Sequence, residues 1–172
     1  GTDTITGGGG TDTITGGAGE DTFVFEDTAA NNGVDDLSVD TSPAFDDILD
    51  FTAFFGGASQ GLTTDVGATA VQSLAGSKIF TTTADTSGKD FGGANFGELF
   101  ATNNTPFFSD TGALATKSVI IVQDEDGNED SQIYYVDSGL TVDNDVQMGD
   151  VTLVGTSSNI DNTTTFAAGD FA

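Results

Sequence analysis

Gly7-Gly8-Gly9-Gly10-Thr11-Asp12-Thr13-Ile14-Thr15 runs directly into Gly16-Gly17-Ala18-Gly19-Glu20-Asp21-Thr22-Phe23-Val24, and both stretches read G-G-x-G-x-D-x-U-x with U a large apolar residue. The six residues before them, Gly1-Thr2-Asp3-Thr4-Ile5-Thr6, match the last six positions of the same nonapeptide. Aspartate therefore recurs at 3, 12 and 21, and the apolar residue at 5, 14 and 23. Glycine-rich halves can take the left-handed and extended conformations of a wide turn, with carbonyl oxygens gathered on its inside. The residues after each aspartate form a minimal strand whose middle side chain points opposite to its neighbours. A turn and a short strand every nine residues wind the chain into a flattened right-handed coil, two nonapeptides to the coil. Repeats 18 positions apart then lie side by side. Asp3 and Asp21 fall on one edge and Asp12 on the other, with Ile5 and Phe23 stacked in one sheet and Ile14 facing them.

Composition narrows what such a coil could meet. The chain has 172 residues, 28 acidic against three lysines, no arginine, and a net charge of −25. Neutralising nucleic-acid phosphates needs clustered Lys and Arg, and an anionic membrane surface would repel such a chain. With no His and no Cys, imidazole acid–base chemistry, thiol nucleophiles, disulfides and the common zinc sites are excluded. Hard, oxygen-liganded cations remain the sensible partner, and calcium takes about six to eight oxygens at about 2.3–2.6 Å. The chain is not an acidic disordered tail: 36% of residues are hydrophobic and 14 are Phe. Its acids are 23 Asp and only 5 Glu, which with 24 Gly and many Thr favours short strands and tight turns over helices.

The repeats resemble the nonapeptides of RTX proteins, which form a calcium-bound parallel β-roll. That resemblance implies Ca2+ as cofactor. It implies ligation by the carboxylates of Asp3, Asp12 and Asp21 with backbone carbonyls of Gly7, Gly8, Gly9 and Gly10 and of Gly16, Gly17, Ala18 and Gly19. Further on, Asp47-Ile48-Leu49-Asp50-Phe51 is similar to the D-x-I-x-D-F strand that follows the repeats in serralysin-type secretion domains, one residue shorter; Asp47 and Asp50 are carried over from it as further metal-site candidates. Residue 1 enters the nonapeptide at its fourth position, and a repeat fold needs about three or more units. Further repeats or another domain are therefore expected upstream.

The expected fold is all-β. A short roll over residues 1–25 precedes a region over 26–172 of antiparallel sheet or sandwich, with at most one or two short helices, serving capping, secretion and assembly. Glu26 to Ser42 reads as a loop turning at Asn31-Asn32-Gly33. Lys78 to Thr83 reads as a strand and Phe91 to Ala101 as a partial helical stripe, with a break near Pro106. Ser118 to Gln123 and Ser131 to Val136 form an antiparallel hairpin around an acidic tip. Its Asp124, Asp126 and Asp130 suit a solvated turn better than a metal loop. Val151 to Val154 supplies another strand, preceded by a turn at Asp143-Asn144-Asp145.

Function follows from the same resemblance. The ending Asp170-Phe171-Ala172 looks like the uncleaved C-terminal signal of chains exported by type I secretion. No H-E-x-x-H, G-x-S-x-G or phosphate loop is present, so no enzyme activity is expected. The chain is similar to the C-terminal part of Gram-negative surface-layer proteins. The expected role is that of a calcium-dependent extracellular structural protein at the bacterial cell surface. It would assemble with copies of itself into a lattice or filament and use the type I secretion machinery, with no nucleic-acid partner and no transmembrane segment. The alternatives are the secretion and folding module of an RTX protease or lipase, and the end of an RTX adhesin.

Overall fold

The computed structural model describes residues 1–41, 45–57, 61–63, 72–73, 78–84, 86, 88–95, 108–109, 117–125, 130–137 and 146–172. Three short strands open the chain: β1 (Thr4–Thr6), β2 (Thr13–Thr15) and β3 (Thr22–Val24). β1 and β3 pair in parallel with Ile5 against Phe23, while β2 belongs to the opposite sheet. This is the coil that the nine-residue spacing dictates. Its turns depend on glycine: Gly8, Gly10, Gly17 and Gly19, the second and fourth positions of each nonapeptide, all have positive φ.

The parallel ladders continue past residue 25. The stretch from Glu26 to Ser42, read above as loop, contains one helical turn, α1 (Ala29–Asn32), capped by Thr28 and closed by Gly33, and a strand β4 (Asp35–Ser38). β4 lies parallel to β2 with Leu37 opposite Ile14. β5 (Ile48–Asp50) lies parallel to β3 with Leu49 opposite Phe23. β4 has one large apolar residue, Leu37, aimed inward, and its polar neighbours conceal it. Ile14, Phe23, Leu37 and Leu49 are all buried in one core with Phe25 and Phe51. Each such side chain is worth about 1.5–3 kcal/mol relative to exposure.

The remaining strands are β6 (Gly61–Thr63), β7 (Gln72–Ser73), β8 (Lys78–Ala84), β9 (Phe108–Ser109), β10 (Lys117–Asp124), β11 (Ser131–Asp137) and β12 (Val151–Ser157). Sheet order is β1-β3-β5 on one side and β2-β4-β12-β11-β10-β8-β6 on the other, with β7-β9 a separate pair. The hairpin β10–β11 is antiparallel, as its sequence indicates, and so is β11–β12. Around them β8 joins β10, and β12 joins β4, in parallel. The second face of the coil thus runs without a break into the large sheet.

Val119 and Ile121 of β10 pack into the core shared with the coil, while Ile120 and Val122 pack on the other face with Phe80, Phe91 and Tyr134. Burial on both faces explains why this strand reads as a continuous apolar run rather than an alternating one. Asp124, expected at a solvated tip, is instead fully buried at the end of β10, where its Oδ1 accepts from Thr86 Oγ1 at 3.1 Å. Asp130 is exposed. Asp126, the stripe beyond Asn95, Pro106 and the turn at 143–145 lie outside the described residues.

Candidate metal centre

The aspartates of the coil form two rows joined by a recurring hydrogen bond. In the first row the Asp3 N–H donates to Asp21 Oδ1 at 2.7 Å, and the Asp21 N–H donates to Asp47 Oδ1 at 2.9 Å. In the second the Asp12 N–H donates to Asp35 Oδ1 at 3.1 Å. Each carboxylate therefore reaches back one coil and ties it to the next. Main-chain bonds run alongside, from Thr22 N–H to Asp3 O, Ile48 N–H to Asp21 O and Asp36 N–H to Asp12 O, each within 2.8 Å.

The rows become more buried along the chain. Asp3 is exposed and Asp12 half-buried, whereas Asp21, Asp35 and Asp47 are buried, Asp21 and Asp47 completely. Burial pushes the carboxyls of Asp35 and Asp47 above the usual range, against the backbone N–H groups that favour ionisation. Buried carboxylates in this state gain most from a nearby cation.

Two observations test whether calcium suits these residues. Asp21 Oδ2 is buried and accepts no hydrogen bond, an expensive arrangement for an oxygen that has nothing to neutralise it. Space has also been kept for such oxygens: a Cβ on Gly16 would lie 2.6 Å from Asp21 Oδ2, and one on Gly7 would lie 2.7 Å from Asp35 Oδ2. Gly16 and Gly7 occupy the first position of their nonapeptides, so the glycine there makes room for a carboxylate. Among the described residues no three acidic side chains converge on one point. A cation held here would take its remaining oxygens from backbone carbonyls of the glycine-rich turns, which is what an all-oxygen donor set permits. The residues fit the ion.

These bonds bring Asp3, Asp21 and Asp47 together on one edge and set Asp12 on the other. Asp50 stands apart at the far end of β5, where its Oδ1 accepts from Thr52 N–H at 2.8 Å and Thr52 Oγ1 at 2.6 Å. Asp35 was not among the sequence candidates. Its signal was present: Asp35-Asp36-Leu37-Ser38 and Asp47-Ile48-Leu49-Asp50 both preserve D-x-U-x without the glycine half. At the other end of the chain Asp170 Oδ2 accepts from Ala167 N–H at 2.7 Å, and burial raises its carboxyl. Phe171 is buried against Phe51 and Phe166, and Ala172 bonds to β5 and the residue after it through Leu49 O and Phe51 N–H.

Residues 1–27 match the family model of the RTX calcium-binding nonapeptide repeat (4 copies). The N-terminal coils are RTX repeats. RTX repeats imply calcium binding, and the β-roll they imply agrees with the parallel coils described above. No curated protein and no solved structure matches the chain. No helix among the described residues is long and apolar enough to cross a membrane.

Proposed function

We propose that this chain is a calcium-dependent extracellular structural protein of the surface-layer or matrix type, without enzymatic activity. On this reading it is the C-terminal module of a longer chain exported by type I secretion. The observation that carries the proposal is the pair of aspartate rows, with their buried, hydrogen-bonded carboxylates and glycine clearances. Calcium supplies positive charge between coils that otherwise repel one another. The chain's own part is to hold Asp21, Asp35 and Asp47 in place through the N–H groups of the preceding coil. A ligand that binds only the folded coil stabilises it by about 4 kcal/mol when its free concentration exceeds the dissociation constant a thousandfold. The calcium-poor chain is then unfolded and fit for threading through an export channel, and it folds outside.

Electron microscopy of the purified protein in calcium and in chelator tests the structural role. Ordered sheets or filaments that dissolve in chelator are expected; a monodisperse monomer in both conditions refutes it. A second reading, the folding module of an RTX enzyme or adhesin, draws support from the continuity of the coil with the large sheet. That continuity lets calcium in the coil govern the strands beyond it. On this second reading the monomer persists and circular dichroism still shows strand content appearing with calcium.

A further inference from the structure

Residues 161–166 cross the end of the large sheet and form one side of an open cavity of about 320 Å³. The segment is fixed there by a parallel bridge between Asp124 and Asp161, by the Asn162 N–H donating to Asp124 O at 3.0 Å, and by the Asn162 side-chain amide donating to Glu125 O. Thr81 and Thr83 of β8, two positions apart and hence on one face, line the cavity beside Gln123 of β10, the register partner of Thr83. Thr164 and Asn162 line it from the crossing segment, and Phe166 contributes an apolar wall.

Two features define what this cavity can hold. The first is an amide preset as an acceptor. Gln123 is 7% exposed, and its Nε2 donates to Asp161 O at 2.7 Å and to Thr164 O at 2.8 Å. With both donors committed to the segment, the capacity left to that amide is Oε1, and the Thr83 hydroxyl beside it can donate or accept. The second is neutrality. In a chain with 28 acids, no charged side chain lines the cavity among the described residues. Of the acids that adjoin it, Asp124 accepts from Thr86 Oγ1, and Asp161 has its carboxylate taken up by its own turn, with Thr163 N–H at 2.7 Å and Thr163 Oγ1 at 2.6 Å, that hydroxyl chiefly holding its pKa down. An anion would meet the repulsion of the −25 chain, and a cation would find no carboxylate among the described residues of the wall. A ligand rich in hydroxyls and without charge satisfies both conditions, with Phe166 against its C–H face. The volume lies at the lower end of ligand pockets, about 300–1,000 Å³, and admits a small sugar.

We propose that this cavity binds a neutral mono- or disaccharide through Gln123, Thr83 and their neighbours. The test is saturation-transfer NMR on the calcium-loaded full chain with glucose, maltose and cellobiose, and glucuronate as the charged comparison. At least one neutral sugar is expected to bind saturably, and glucuronate is not. Thr83→Val, which keeps the volume and removes one hydroxyl, should weaken binding about fivefold, the effect of one hydrogen bond. Thr83→Trp, which fills the space, should abolish it. If either variant loses its strand signal in circular dichroism, Asn162→Ala on the exposed segment replaces it, with a similar weakening expected. The proposal is overturned if no neutral sugar saturates, if glucuronate binds as well as the neutral sugars, or if folded variants bind like the parent.

Discussion

Replacing Gly33 with alanine tests the claim that the coil continues beyond the repeats. Gly33 ends α1 with φ 76° and ψ −157°, a region open in practice to glycine only, where a side chain costs about 1–3 kcal/mol. Its surroundings add to this. A Cβ built there would stand 1.8 Å from the carbonyl oxygen of Gly10, the same oxygen that accepts the Val34 N–H at 3.0 Å. Relief requires β4 to move away from the turn at Gly10. That movement breaks the Val34 bond and stretches the link between Asp12 and Asp35, each worth about 1 kcal/mol. The sum is about 3–5 kcal/mol, a large share of the 5–15 kcal/mol typical of a domain. Urea unfolding in saturating calcium, followed by circular dichroism, measures it. Gly149→Ala is the control, since a Cβ there meets nothing within 4 Å. If Gly33→Ala unfolds at the same midpoint as Gly149→Ala, β4 does not stack on the turn and the second aspartate row is wrong.

Three other outcomes are expected. Asp47→Asn leaves one oxygen for the N–H groups of Asp21 and Asp40, now 2.9 and 2.7 Å from the two carboxylate oxygens. It should cost about 1–3 kcal/mol in urea unfolding and raise the calcium concentration needed for folding, while Asp46→Asn on the exposed neighbour does neither. In chelator, mild acidification should restore strand content. Asp35 and Asp47 have folded pKa values above the unfolded 3.8, so the folded state takes up protons first, and stability rises as pH falls through the raised values towards 3.8; a strand signal that only declines on acidification contradicts this. Phe171→Ala should cost about 3 kcal/mol in thermal or urea unfolding, the lower end for a buried Phe, because the ring packs on Phe51 and Phe166; an unchanged midpoint would show that the ending does not dock.

The elements legible in the sequence are those whose signal is local. Asp3 and Asp21 stand 18 residues apart, two nonapeptides, and that spacing alone foretells the pairing of Ile5 with Phe23. The apolar runs on either side of the acidic tip likewise foretell the hairpin. Beyond the repeats the spacing widens to 23 residues between Asp12 and Asp35 and to 26 between Asp21 and Asp47, so periodicity no longer finds the coil. There only the D-x-U-x fragments survive, and a polar context hid Leu37. The parallel joins of β8 to β10 and of β4 to β12 have no local signature, because they depend on surfaces that meet only in the fold. The docking of Phe171 has no local signature for the same reason: its partners, Phe51 and Phe166, are chosen by packing.

One pairing has a kinetic consequence. β4 lies between β2 and β12, and Asn32 beside it donates to Val154 O, 122 residues further on. Contacts of such high contact order form late, and sheets built on them close over milliseconds to seconds. A chain emerging in order therefore presents β4 as an open edge, a ready template for a foreign strand, until β12 arrives. Strand edges are guarded by charge, and β4 begins with Asp35 and Asp36. Besides serving the coil, these two acids would keep a half-made sheet from recruiting a neighbouring copy while it waits for its own last partner.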